Sequence, residues 1–503
     1  MPATDYDGVL VDIIRYVYHT EVSSDRALQR ARIALLDSLG CAIETLAQSS
    51  EARAFIGPTV PGTTVPSGFR LPGTSFILDP IKGAFDLGSL IRYLDHNDAY
   101  PGAEWGHPSD NLGAIIAVAD WLSRRYAAGT TSGTNDGTTD VTTDIQSSGG
   151  SNSMIITLKD VLIAQIKAYE IQGILQMKNA FNKCGLDHTI LVKIASTAVV
   201  AHLMGLTEEQ ALSALSHAWL DGHPLRSFRQ APNTGPRKGW AAGDACNRAV
   251  HLCFLAKAGQ PGAPSVLTAP KWGFQDALFG GQELMVPKSY GTFVEYHFFK
   301  LVMAEAHAIS AAKCAVELAA RLKALKRDVG EIEKMVIRTQ EAGKIIIDKS
   351  GPLMNPADRD HCMQYIVAVS LLKGSFIVGE DYADDSPWAS DQRVDELREK
   401  MLVVEDEQFT RDYHDPWKVR SCANAISVVL RSGEVIPEIL VKFPIGHPMH
   451  SATLDLVKEK FKVNMRKGDY EEAIVEEVKS MVEDDDVPVH NFIDLFVKQD
   501  EIA

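Results

Sequence analysis

The sequence contains no CxxC pair, and its seven cysteines (Cys41, Cys184, Cys246, Cys253, Cys314, Cys362 and Cys422) are scattered and odd in number. That spacing argues against a disulfide framework and a thiolate-held cluster, and it favours a reducing compartment. HExxH, GxGxxG and Walker-type loops are all missing, so neither a zincin-like metal site nor a nucleotide-phosphate cradle is indicated. No apolar run reaches the roughly 20 residues that span a bilayer. Positive charge is also scarce, with 50 Lys and Arg against 66 Asp and Glu and a formal net charge of −16. A nucleic-acid or anionic-membrane partner needs a basic face and is disfavoured. The first residues carry Asp5 and Asp7 and no basic amphipathic stretch, so no signal or transit peptide is expected. An acidic chain that binds a polyanion must gather Lys, Arg and His locally.

What is present is ordinary globular material. The 503 residues are 45% hydrophobic and 23% charged, enough for a large core and, at about 150 residues each, two to four domains. Helical periodicity runs through Leu10–Tyr18, Ala27–Ile43, Ile81–Tyr93, Leu112–Ser123, Leu158–Ile174, Ala195–Met204 and Glu208–Leu220. Gly83, Ala84 and Gly88 permit close helix contacts. Residues 127–153 form a Gly/Ser/Thr/Asn/Asp tract too polar to repay ordering, which predicts a disordered surface insertion. Beyond Gly291 the texture turns to α+β. MVIRT predicts a strand, Ile426–Leu430 and Val435–Val441 a hairpin, and Ala308–Leu325, Gln364–Leu372 and Val394–Met401 helices. The tail from Leu454 returns to helix and is a candidate to dock on the first part.

Two segments concentrate chemistry. The stretch Asp95-His96-Asn97-Asp98 to Glu104-Trp105-Gly106-His107-Pro108-Ser109-Asp110 places acids, imidazoles and amides on a loop between apolar helices. Ser109 or Asp110 there is a possible cap for the following helix, leaving its amides for an anion. Capping plus solvated polarity is the competing reading. Arg226, Arg229, Arg237 and Lys238, around Asn233-Thr234-Gly235, form a plausible carboxylate clamp, since Arg binds carboxylates bidentately. An exposed basic loop is the alternative. His188 has the ordinary pKa of a general acid or base, yet taken alone a satisfied structural histidine is the commoner reading. The same holds for His307 and for Arg359-Asp360-His361.

Taken together, LLDSLGCAIE, YLDHNDAY, AEWGHPSDNLG, GLDHTILVKIASTAVVA, APNTGPRKGWAAGDA, LTAPKWGF, GPLMNPADRDHCMQY and DYHDPWK resemble the MmgE/PrpD family, in its 2-methylcitrate dehydratase branch. The resemblance spans the chain outside the 127–153 tract. It implies a mostly α fold: a large all-α domain from residues 1–293 and 446–503, with an α+β lid domain, 294–445, inserted between. It also implies a homodimer without metal or organic cofactor, acting on a small tricarboxylate in a pocket between the domains. By position it marks Asp95, His107, His188, Lys238 and Lys300 as catalytic. Arg237, Tyr100, His307 and Arg359 are substrate-binding candidates, and Ala99 stands where related decarboxylases carry threonine.

The implied reaction is β-elimination of water from 2-methylcitrate in the methylcitrate cycle of propionate catabolism, with citrate or cis-aconitate as secondary ligands. His107 and His188 are its proton-transfer candidates, Lys238, Lys300 and Arg237 its carboxylate partners, and Asp95 the group that orients an imidazole. A cis-aconitate decarboxylase-like activity is the nearest alternative, and a non-catalytic binding or assembly protein on the same fold the more distant one. The compartment implied is the mitochondrial matrix for a eukaryotic source and the cytoplasm otherwise. Since the cysteines lack the spacing of an iron–sulfur site, turnover is expected to withstand EDTA and air. Activity lost on chelation and regained with iron or zinc would overturn the metal-free expectation.

Overall fold

The computed structural model describes residues 6–131, 155–220, 222–229, 234–286, 290–291, 293–415 and 420–498. Most of the 127–153 tract, Asn233 and Pro416 to Lys418 lie outside them. The fold is mostly helical. Its first half holds α1 (Gly8–His19), α2 (Asp25–Gln48), α3 (Pro80–Arg92), α4 (Leu112–Thr131), α5 (Leu158–Lys178), α6 (Thr189–Leu203), α7 (Glu208–Leu220) and α8 (Arg237–Lys257).

Local chemistry starts these helices. The Ser24 hydroxyl accepts from the Ala27 amide to cap α2. The Asp79 carboxylate accepts from the Ile81 and Lys82 amides ahead of α3, whose first residue is Pro80. Thr157 and Asp160 close a capping box on α5. Helix α6 starts at Thr189, six residues before the alanine-rich pattern that predicts it. Every residue from Thr189 to Ala201 is buried, so it is a central helix apolar all round and shows no amphipathic stripe.

Glycine lets three helices meet at backbone distance. A Cβ on Gly113 of α4 would stand 2.6 Å from the Cα of Gly88 in α3, and one on Gly88 3.0 Å from the Cα of Gly243 in α8. Further along the same contact, a Cβ on Gly239 would stand 2.7 Å from the Tyr93 ring. The end of α3 therefore lies beside the start of α8, which brings Arg92 towards Lys238.

In the second half, α9 (Ile309–Ala324) and α10 (Met363–Lys373) pack together, and α9 also packs on a four-stranded sheet. After a two-residue pair, β1 (Phe69–Arg70) with β2 (Ile77–Leu78), come the sheet strands β3 (Ile332–Thr339), β4 (Met401–Glu405), β5 (Asn424–Leu430) and β6 (Val435–Val441), ordered β4-β3-β5-β6. The expected hairpin is β5–β6, antiparallel, with Val429 opposite Val435. The expected helix Val394–Met401 stops at Glu399. Met401 instead opens β4, which pairs in parallel with β3 (Met335 opposite Met401) and buries alternate residues Met401 and Val403. A five-residue strand is too short for its period-2 signal to stand out against a preceding helix.

One core draws on residues from Leu10 to Phe299 and again from Val457 to Phe496; a second draws on Phe298 to Ile439 with Ala99. The tail helix α11 (Thr453–Lys467) packs on α2, with Phe461 against Gly40. No helix among the described residues is long and apolar enough to cross a membrane. Since the atoms facing Gly113 are backbone and cannot swing aside, Gly113→Ala should cost about 1–3 kcal/mol of stability by overpacking. A thermal melt within 1 °C of the parent's would show that α3 and α4 can separate freely.

Candidate active site

The sharp bend after α3 sets the site. Asp95 adopts a left-handed conformation, φ +55°, and its amide donates to the Arg92 carbonyl at 3.0 Å. Few residues other than glycine accept that backbone, and Asp95 is held in it by two cations. Its Oδ1 pairs with Arg92 Nη1, while Lys300 Nζ lies 2.9 Å from Oδ2 and donates to the Asp95 carbonyl at 3.0 Å. All three side chains are buried. Burial alone would raise the Asp95 carboxyl, but Arg92, Lys300 and Lys238 outweigh it and hold the group well below the usual carboxylate range.

His107 is fixed from both sides. Its Nδ1 lies 2.6 Å from the Asp98 carbonyl, which can only accept, so Nδ1 carries the proton and donates. Nε2 then accepts from Arg92 Nη2 at 3.0 Å. Burial, then Arg92 and Lys300, lower its pKa well below the ordinary value, so the ring is neutral. Arg92 bridges Asp95 to this imidazole, whose charged form the nearby Asp95 carboxylate favours against the cations. Ser109 and Asp110 do not cap the next helix. The Ser109 hydroxyl donates to Asp98 Oδ1 at 2.6 Å, and Asn97 Nδ2 donates to Ser109 Oγ and Asp110 Oδ1 at 2.8 and 2.9 Å. These side chains are used to fasten the Asn97-Asp98 turn.

His188 stands 5.4 Å from His107, ring centre to ring centre. It too is buried, and among the described residues neither ring nitrogen has a hydrogen-bond partner. Burial keeps it neutral; Arg229, Arg226 and Arg92 push the same way against Asp187. Its Nδ1 lies 3.8 Å from Asp187 Oδ1, too long for a hydrogen bond, so among the described residues both nitrogens remain without one.

The four cations of the basic loop diverge. Arg229 pairs with Asp187 at 2.5 Å, and Arg226 reaches the same carboxylate at 3.4 Å. Lys238 pairs with Asp360 at 2.5 Å, and His361 Nδ1 meets the other Asp360 oxygen at 2.5 Å. Arg237 turns outward, 2.8 Å from Asp244 and stacked over Trp240, so it is not brought to the cluster. Arg359 also points away, donating to the Tyr382 carbonyl at 2.6 Å and pairing with the exposed Asp384.

A cleft beside the cluster is lined by Ala99, Tyr100, Trp105, His107, Phe298 and His307, among others. Within it His307 Nδ1 lies 2.9 Å from Glu305 Oε1, and Nε2 lies 3.0 Å from the Tyr413 hydroxyl. The Tyr100 hydroxyl accepts from Arg420. Of the expected residues, Asp95, His107, His188, Lys238 and Lys300 are thus gathered around Arg92, and Tyr100 and His307 line the adjoining cleft.

Family comparison agrees with the resemblance carried by the sequence motifs. Residues 11–286 match the MmgE/PrpD N-terminal domain and 303–484 the MmgE/PrpD C-terminal domain. The chain belongs to the MmgE/PrpD family. A protein of Aspergillus oryzae named "2-methylcitrate dehydratase-like protein oryR" is 51% identical, covering 99% of this chain and 98% of its own length. The "2-methylcitrate dehydratase" of Escherichia coli K12 is 46% identical over 98% of each. A fungal "Alkylcitrate dehydratase phiI" is 46% identical, over 99% of this chain and 95% of its own.

Arg92, at the centre of this family member's cluster, is not singled out by the sequence motifs. The one signal is a lone cation on the last turn of an apolar helix. One group of described residues, Cys41, Glu44 and His96, has ligand atoms within 4.8 Å of one another. Both Glu44 oxygens are already engaged, by His96 Nδ1 at 2.6 Å and Lys467 Nζ at 2.7 Å, so an ion pair accounts for it. Lys238→Met keeps the aliphatic stem but strips Asp360 of its cation. A buried charge-assisted contact contributes about 1.5–3 kcal/mol, so kcat/KM should fall at least about tenfold, equally at low and high salt. Kinetics within twofold of the parent would return Lys238 to a purely structural pairing.

Proposed function

We propose that the chain is a hydro-lyase, a 2-methylcitrate dehydratase that eliminates water from 2-methylcitrate to give cis-2-methylaconitate, with citrate as a secondary substrate. The observation that carries this reading is the cluster itself. Two neutral imidazoles lie beside three buried cations, Arg92, Lys238 and Lys300. The relatives named 2-methylcitrate dehydratase, aligned along nearly the whole chain, supply the substrate.

In this reading the substrate's carboxylates face the cations. A base takes the proton on the carbon α to a carboxylate, and the tertiary hydroxyl leaves as water. The carbon acid is weak, so the enolate-like charge that develops must be met by fixed positive groups, and preorganised electrostatics supply much of the rate. His188 is the base, because it is neutral and neither nitrogen is hydrogen-bonded among the described residues, whereas His107 has its lone pair engaged by Arg92. Lys238, with Asp360 and His361 behind it, donates the proton to the departing hydroxyl. Asp95 keeps Arg92 and Lys300 in register.

The same proposal takes residues 1–293 with 446–503 as one helical domain and 294–445 as a lid that closes over the site. It takes the protein as a metal-independent homodimer of propionate catabolism. The matrix is its location in a eukaryote, in line with a Yarrowia lipolytica relative named "2-methylcitrate dehydratase, mitochondrial", and the cytoplasm its location in a bacterium.

NMR of metal-free protein incubated with 2-methylcitrate should show the dehydrated product and no carbon dioxide. His188→Asn should lower kcat by about 10² or more while the fold persists, the usual scale for a lost acid–base group. Release of carbon dioxide from cis-aconitate would move the protein to the decarboxylase reading. Near-normal turnover in His188→Asn would remove the base from this ring.

A further inference from the structure

Lys460 lies on α11, far in sequence from every residue of the cluster, yet its ammonium is buried where the two catalytic loops meet the tail. Nζ donates to the His96 carbonyl at 2.6 Å and to the Lys300 carbonyl at 2.9 Å, and lies 2.7 Å from Asp37 Oδ1 on α2. An ammonium has three protons; the two backbone carbonyls accept from it, and Asp37 stands beside it as an ion pair. The carbonyls belong to the residue next to Asp95 and to Lys300 itself.

We infer that Lys460 is a positioning residue, whose ammonium fixes the separation of the Asp95 loop and the Lys300 loop and thereby the Asp95–Lys300 pair in the site. The kinetic consequence of this grip rests on the proposed elimination; its geometry does not. Asp95 and Lys300 come from segments about 200 residues apart, and the two-residue bridge Ala99–Phe298 is the backbone pairing that joins them. Between Ala99 and Asp95, Asn97 and Asp98 are fastened to Ser109 and Asp110, and the backbone at His96 is the point still to be tied to the Lys300 loop. Lys460 does this directly, holding one carbonyl from each loop on one atom. Asp37 alone would need only a charge partner. A second tie, Glu44 with His96 and Lys467, already joins α2, the loop and α11 electrostatically. The carbonyl contacts are what Lys460 adds.

The test separates the charge pair from the carbonyl grip. Lys460→Met removes all three contacts and keeps the stem. Asp37→Asn removes the charge pair and leaves both carbonyls on the ammonium. All are assayed on 2-methylcitrate at one temperature, at least 10 °C below the lowest melting temperature of the set, so that each is fully folded. In Lys460→Met we expect kcat to fall at least tenfold with KM within threefold, and the acid limb of the pH–rate profile to move to higher pH as Lys300 loosens from Asp95. The Asp95 amide should exchange with deuterium at least tenfold faster, while amides in the middle of α3 stay as in the parent. Asp37→Asn should lower the melting temperature yet keep the parent's kcat, profile and exchange.

A Lys460→Met profile that superimposes on the parent's after scaling, or an equal loss of kcat in Asp37→Asn, would overturn the inference. If the parent does not turn over 2-methylcitrate, the functional proposal fails and the exchange arm alone decides this one: unchanged Asp95 exchange in Lys460→Met rejects it, and faster exchange confined to that loop upholds the grip.

Discussion

Taking an Arg or Lys side chain out of water costs several kcal/mol, and a protein recovers that only where a carboxylate and further hydrogen bonds go with it. Arg92, Lys238, Lys300, Arg229 and Lys460 are all buried, and four carboxylates answer the five cations: Asp95 for both Arg92 and Lys300, Asp360 for Lys238, Asp187 for Arg229 and Asp37 for Lys460. The rest of the site follows from this matching. Once the cations are anchored by acids on different loops, those loops are tied together: Asp95 binds the Arg92 turn to the Lys300 segment, and Asp360 binds the Asp358–His361 segment to the start of α8. Burial, reinforced by the positive field of these cations, is why His107 and His188 are neutral where an exposed histidine would be half protonated near its ordinary pKa.

The apolar scaffold does the complementary task of putting the acids and cations within reach. Gly88, Gly113 and Gly243 let α3, α4 and α8 approach at backbone distance, so that the end of α3 and the start of α8 share one corner. Arg92 and Lys238 are delivered there by helices whose other contacts are core contacts, and this rigidity is what a preorganised site requires. The second core meets the first along Phe298 and Phe299, adjacent residues buried in different cores. Lys300 is the next residue, so the junction of the two cores and the cluster coincide.

Periodicity was enough to mark the helical first half, the β5–β6 hairpin and the return to helix at the tail, because amphipathic patterns and an Arg-Ser-Gly-Glu turn are local signals. It mistook Met401 for the end of a helix, since a five-residue strand gains its pairing from β3, over 60 residues away. The site divides along the same line. Asp95, His107, His188 and Lys238 stand in polar strings that interrupt apolar helices and were visible as motifs. Arg92 and Lys460 sit on regular helices, where a cation ordinarily faces water, and only the tertiary structure turns them inward. Arg237 errs the other way: it adjoins Lys238 in sequence, but one residue along a helix is a rotation of about 100°, enough to point it at Asp244 and solvent.

An acidic chain can still hold a tricarboxylate because charge acts locally. At physiological ionic strength the Debye length is about 8 Å, so exposed acids farther away than that are largely screened, while groups inside the site are not. The formal charge of −16 therefore says little about the pocket. What matters is whether buried cations there can turn from protein carboxylates to those of a ligand. Lys238 and Asp360 are suited to such an exchange, since His361 on the far oxygen keeps Asp360 partnered when Lys238 turns away. Lys460 is not, because two of its three contacts go to backbone carbonyls that have no proton to gain and no freedom to leave. The first arrangement fits a group that meets substrate, and the second fits one that keeps the site's geometry constant while the first responds.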